Sequence, residues 1–122
     1  MVDSEDETVV DDWRMPAEFV KSHTSSPFER LKVVAVTGDS NIPDFMPGER
    51  VLVDTDDRKP SPPGVFVLWD GVGLVMKRIE VIPNSNPVRV RLIPRNPIYE
   101  TYERPLADIV INARVIGKWA RT

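Results

Sequence analysis

The 122-residue sequence has no cysteine and one histidine, His23. Without thiols it can form neither a disulfide framework nor a thiolate metal site. A single imidazole cannot build a histidine metal cluster, and His23 sits in a polar loop where a Ser-His triad is not expected. Glycine is also scarce, with six in all, and Asp70-Gly-Val-Gly73 is too poor in it for a dinucleotide loop. No metal or cofactor is expected. The longest apolar run, Val65–Trp69, is far shorter than the roughly 20 residues of a membrane helix. The first twelve residues are acidic and lack the apolar core of a secretory signal. These absences predict a cytoplasmic chain with no membrane partner.

Apolar residues make up 41% of the chain and charged residues 29%, ordinary values for one globular domain with a real core. Charge is unevenly placed. Six of the 19 acids lie in residues 1–12, with no base among them, and the remainder has 13 acids against 16 Lys and Arg. Residues 1–12 therefore read as a solvated, disordered tail before a domain at 13–122. The body is mildly basic and has no clustered Lys/Arg surface for holding nucleic acid by itself.

Proline is plentiful, with 12 residues spread through the connections. Residues 13–20 allow a helical turn with Pro16 at its start. From Glu29 onward the patterning is β: Leu31 leading into Val33–Val36, then Arg50–Asp54, Val65–Trp69, Gly73–Ile82, Val88–Leu92 and Ile109–Ile116. Val88, Val90 and Leu92 are expected inward, with Arg89 and Arg91 outward. Lys59–Gly64 is a loop that no helix could cross, Asp70-Gly71 marks a hairpin, and Asp54–Asp57 reads as a solvated turn. Phe66, Trp69 and Trp119 read as core or interface residues. The fold class is mainly β, a compact sheet or roll of six or so short strands with very little helix.

Two residues carry candidate chemistry. In the strand from Gly73, one face has Val75, Lys77, Ile79 and Val81, and the other has Leu74, Met76, Arg78 and Glu80. Lys77 thus lies on the more apolar face. Either its ammonium snorkels out at a strand edge, or desolvation favours a neutral amine able to act as a general base. Ser40 ends the run Val36-Thr-Gly-Asp-Ser40, either as a turn residue or as a hydroxyl presented where backbone N–H groups are free to hold an oxyanion.

The ordered series Leu31–Ser40, Pro47–Asp54, Gly64–Leu68 and Val75–Ile79 resembles the LexA-like serine peptidase family, which includes LexA, phage repressors and UmuD-type polymerase subunits. Met15–Val20, Asn96–Tyr99 and Ala113–Gly117 resemble its flanking segments, so the likeness spans about residues 13–120. The resemblance implies a Ser40 nucleophile, a Lys77 general base and an oxyanion hole from the N–H groups of Asp39 and Ser40. It also implies self-cleavage of an upstream linker, promoted by a recombinase filament on single-stranded DNA, and a homodimer formed largely through C-terminal strands. DNA would be bound by a separate N-terminal domain.

Three features depart from the family pattern. Asn41 stands where Met usually forms a substrate-binding wall, and it is expected to reshape substrate binding. Pro94-Arg-Asn96 replaces the usual Ser-Asp-Asn, with a consequence for local loop geometry. No Ala-Gly or Cys-Gly, the bonds that self-cleaving members cut, occurs in the chain. The reading is therefore of a regulatory domain from a longer repressor-type regulator. The alternatives are a catalytically silent dimerisation domain and a UmuD-type polymerase subunit.

Overall fold

The computed structural model describes residues 27–119. The acidic tail, the expected helical turn at 13–20, the likeness at 15–20, His23 and the side chain of Trp119 lie outside the described residues. Seven strands form one antiparallel sheet: β1 (Leu31–Ala35), β2 (Arg50–Asp54), β3 (Gly64–Trp69), β4 (Leu74–Val81), β5 (Arg89–Ile93), β6 (Tyr102–Pro105) and β7 (Val110–Trp119). Their order across the sheet is β1-β2-β7-β3-β4-β5-β6. Helix is limited to the 3-10 turns Phe28–Arg30 and Leu106–Asp108 among the described residues. The mainly β class expected from the prolines and short apolar runs is the class found.

Among the described residues no long helix covers the sheet, and its two faces hold separate apolar clusters. Alternation along β3 sends Val65 and Val67 into one cluster with Val34, Val36, Val51, Val53, Met76 and Ala113. Phe66 and Leu68 enter the other, with Ile79, Val90, Leu92, Ile109 and Ile111. Register shifts at Leu52/Val53 against β7, and at Val67/Leu68 against β7, fall in the middle of the sheet, where extra residues bend strands and increase twist.

Three local expectations are corrected. β5 begins at Arg89, and Val88 is 42% exposed instead of inward, its carbonyl accepting from Leu106 N–H at 2.8 Å. β6 is an additional strand that no apolar alternation announces; Glu103 lies between Arg89 and Arg91 of β5 at 3.7 and 3.8 Å. The acids at 54–57, the first of them the last residue of β2, are not a merely solvated turn. Asp54 is 4% exposed. Asp57 pairs with Arg114 Nε at 2.8 Å, and Arg114 Nη2 donates to the carbonyls of Lys59 and Pro62, fastening the proline-rich loop to β7.

The hairpin read from Asp70-Gly71 joins β3 to β4, with Gly71 at φ 100°, a conformation that favours glycine. Asp70 Oδ1 accepts the N–H groups of Val72 and Gly73, each at 2.9 Å, and Oδ2 accepts the Tyr102 hydroxyl at 2.5 Å. Burial pushes the Asp70 carboxyl upward, but the Tyr102 and backbone hydrogen bonds outweigh it and hold the pKa below the ordinary 3.8. The same burial, with the Asp70 bond and charge, pushes Tyr102 up. Tyr102→Phe is expected to cost about 2 kcal/mol at neutral pH in urea unfolding, the scale of a hydrogen bond to a charged partner. Because the folded pKa of Asp70 is depressed, its contribution is present above 3.8 and is lost as pH falls through the lower folded value. The gap between wild type and variant therefore narrows below that pH, and a pH-independent gap would contradict the assignment.

Candidate active site

The site begins where β5 stops. β5 pairs with β4 only over Arg78–Val81, so Leu74–Lys77 of β4 have no β5 partner. The chain leaves the sheet after Ile93 through Pro94, whose ring nitrogen has no proton for a continuing ladder. The turn after β1 fills the vacated position. Gly38, at φ 71°, lets the chain reverse there. Ile42 N–H then closes onto the Asp39 carbonyl at 3.3 Å, and Phe45 N–H onto the Asn41 carbonyl at 3.0 Å. Phe45 packs against the Val36–Val67–Met76 cluster and anchors the far end of the turn.

Asn41 is 6% exposed. Its Nδ2 donates to the Met76 carbonyl at 2.7 Å, in the stretch of β4 that β5 leaves unpaired, so a side-chain amide does what a strand neighbour would otherwise do. The same nitrogen lies 3.5 Å from Ser40 Oγ, at the outer limit of a hydrogen bond.

Above this seam is an open cleft of about 320 Å³ lined by Thr37–Asn41, Leu74–Lys77 and Tyr99. Ser40 and Lys77, distant in sequence, are both on its wall, and so are Asp39 and Asn41. Lys77 is half-buried and lies directly across the β3–β4 ladder from Phe66. The periodicity behind the lysine reading holds: Val75, Ile79 and Val81 belong to the Phe66 cluster, whereas Leu74 and Met76 belong to the other.

The segment after β5 closes one end of the cleft. Asn96 N–H donates to the Ser40 carbonyl at 3.0 Å, and Asn96 Nδ2 to the Asp39 carbonyl at 2.9 Å. The Tyr99 hydroxyl donates to Asp39 Oδ1, and this bond and the carboxylate charge push the phenol upward in pKa. The Pro94-Arg95 departure has a visible consequence, an ion pair from Arg95 Nε to Asp44 Oδ2 at 3.2 Å that adds to the ties between this loop and the Ser40 turn.

A family model described as Peptidase S24-like matches residues 3–118. The chain belongs to the Peptidase S24-like family. This is the family of the C-terminal domains of LexA, UmuD and phage repressors. No curated protein matches the chain. In this S24-like domain no cluster of three or more potential metal ligands occurs among the described residues. Nor is any helix among them long and apolar enough to cross a membrane. In the sequence, Asn96 and Tyr99 stand out only as part of a likeness. Their hold on Asp39 and Ser40 depends on where β5 leaves the sheet, which no short motif encodes.

Proposed function

We propose that this S24-like domain is the regulatory and dimerisation part of a repressor-type transcriptional regulator, and that it cuts a peptide bond in its own upstream linker. The observation that carries the reading is the meeting of Ser40 and Lys77 in one cleft. Lys77, as the neutral amine, takes the Ser40 hydroxyl proton while Oγ bonds to the scissile carbonyl carbon. The resulting oxyanion is held by the N–H groups of Asp39 and Ser40. Collapse breaks the C–N bond, Lys77 returns the proton to the leaving amine, and water hydrolyses the acyl-serine ester.

DNA binding belongs to a separate N-terminal domain, and a recombinase filament is the inducing partner. Beyond Arg114, β7 pairs with β2 and not with β3, so one edge of Val115–Lys118 is without a strand among the described residues. That edge is where we place the second copy; a monomer in analytical ultracentrifugation would remove this part of the proposal. Two tethered DNA-binding domains would then meet paired half-sites at high effective concentration.

The test supplies the linker in cis and incubates the protein at mildly alkaline pH. Ser40→Ala should lower cleavage about 10³-fold or more, and undiminished cleavage would rule out Ser40 as nucleophile. A catalytically silent dimerisation domain is the second reading. It is favoured by the buried Asn41 amide, whose Nδ2 stands 3.5 Å from Ser40 Oγ. Covalent labelling of Ser40 by a serine-directed probe would exclude it.

A further inference from the structure

We propose that Asn96 is a positioning residue for Ser40, orienting the two peptide groups that flank the nucleophile. The inference rests on Ser40 as the attacking residue. A trans peptide points its C=O and N–H in opposite directions, so fixing the carbonyl fixes the donor. Asn96 Nδ2 holds the carbonyl of the Asp39–Ser40 peptide at 2.9 Å, and Asn96 N–H holds that of the Ser40–Asn41 peptide at 3.0 Å. One residue therefore sets the direction of the Ser40 N–H and of the Asn41 N–H on either side of the reactive hydroxyl.

Asn96 is itself held. Its Oδ1 accepts Ile98 N–H at 3.2 Å and its carbonyl accepts Tyr99 N–H at 3.1 Å, so every polar group of the residue is engaged. Pro94 and Pro97 fix φ on either side of Arg95-Asn96, and Tyr99 returns to Asp39 Oδ1. Only a short side chain with both a donor and an acceptor satisfies this set. Aspartate has the same shape but presents oxygen to the Asp39 carbonyl, and glutamine is one methylene too long.

The test measures labelling of the chain by a fluorophosphonate: Oγ bonds to phosphorus, fluoride leaves, and the hydroxyl proton passes to Lys77. Asn96→Asp and Asn96→Ala should lower the maximal labelling rate about 10²-fold, the scale of a misplaced reacting group. The pH midpoint should stay where it is, because Lys77 is untouched. Amide hydrogen exchange supplies a readout independent of reactivity: Ile42 should exchange faster in both variants while β3 amides keep their protection. Wild-type labelling in the variants, or unchanged exchange at Ile42, overturns the positioning role. If wild type is not labelled, or labelling survives Ser40→Ala, the nucleophile reading fails instead, and the exchange result alone decides the role of Asn96.

Discussion

Lys77→Met is expected to lower both probe labelling and linker cleavage about 10³-fold, within the range of a lost general base. Methionine keeps a straight unbranched stem beside Phe66, directly across the ladder, with a thioether sulfur for one methylene and no amine. Packing around the cleft should therefore survive, and unfolding by urea should show it. In the proposed mechanism the reacting form of the lysine is the neutral amine, so wild-type labelling should rise with pH as a single proton is lost. In Lys77→Met that rise should vanish. Arginine should not restore activity, because a guanidinium stays protonated at any pH the fold tolerates. A Lys77→Met protein that labels at the wild-type rate would remove Lys77 from the mechanism and leave Ser40 without a base.

Phe66→Ala is expected to have the largest effect on stability, about 4 kcal/mol, in the range for truncating a fully buried aromatic. Phe66 is completely buried in the cluster with Leu68, Ile79, Val90 and Leu92. It also sits mid-row across the sheet, with Lys77 of β4 on one side and Arg114 of β7 on the other. The Arg114 guanidinium carbon lies 4.4 Å from the ring centroid. Gly64, two residues earlier on β3, leaves room for it: a Cβ there would fall 2.5 Å from Arg114 Nη1. Removing the ring therefore opens a cavity and takes away the seat of the residue that holds Asp57 and the 59–62 loop. Phe66→Leu, which keeps most of the volume, should cost about 1.5 kcal/mol. Urea unfolding of the two variants checks both values, and a Phe66→Ala cost under about 1 kcal/mol would show that the row does not carry this weight.

The sequence made the β class legible because its apolar residues come in short runs divided by proline or, at Asp70-Gly71, by a hairpin turn, and each such run became a strand. β6 was not legible: Tyr102-Glu-Arg-Pro105 has no apolar alternation, and the cross-strand charges that join it to β5 act only after β5 is placed. Val88 alternates with Val90 and Leu92, yet a strand's pattern does not mark where its first inward residue falls. Asp57 reads as solvated because its partner, Arg114, comes from a distant segment, and Asp54 because its bond to Asp56 N–H is ordinary turn chemistry that gives no sign of its burial. At the site, the side of β4 that carries Lys77 followed from period-2 alternation. Ser40, by contrast, stood out only through likeness to a family, since a serine after Gly-Asp is ordinary turn chemistry. The roles of Asn41 and Asn96 were hidden for another reason. Each amide completes hydrogen bonds with a carbonyl that is not its neighbour in sequence.

The early exit of β5 at Ile93 also bears on when the cleft can exist. Its walls come from residues 37–41, 74–77 and 99, three stretches joined only through completed strand pairing. Bringing them together requires closure of long loops, so contacts across the cleft form after the β3–β4 hairpin, whose ends are close in sequence. A nascent or partly unfolded chain has a serine and a lysine but no cleft to unite them. Local opening of β5 from β4 would carry off Asn96 and Tyr99, which hold Asp39 and Ser40, without melting the rest of the sheet. On the proposed mechanism reactivity is thus tied to completion of the fold, since a half-built chain lacks the cleft that would let its hydroxyl attack neighbouring peptide bonds.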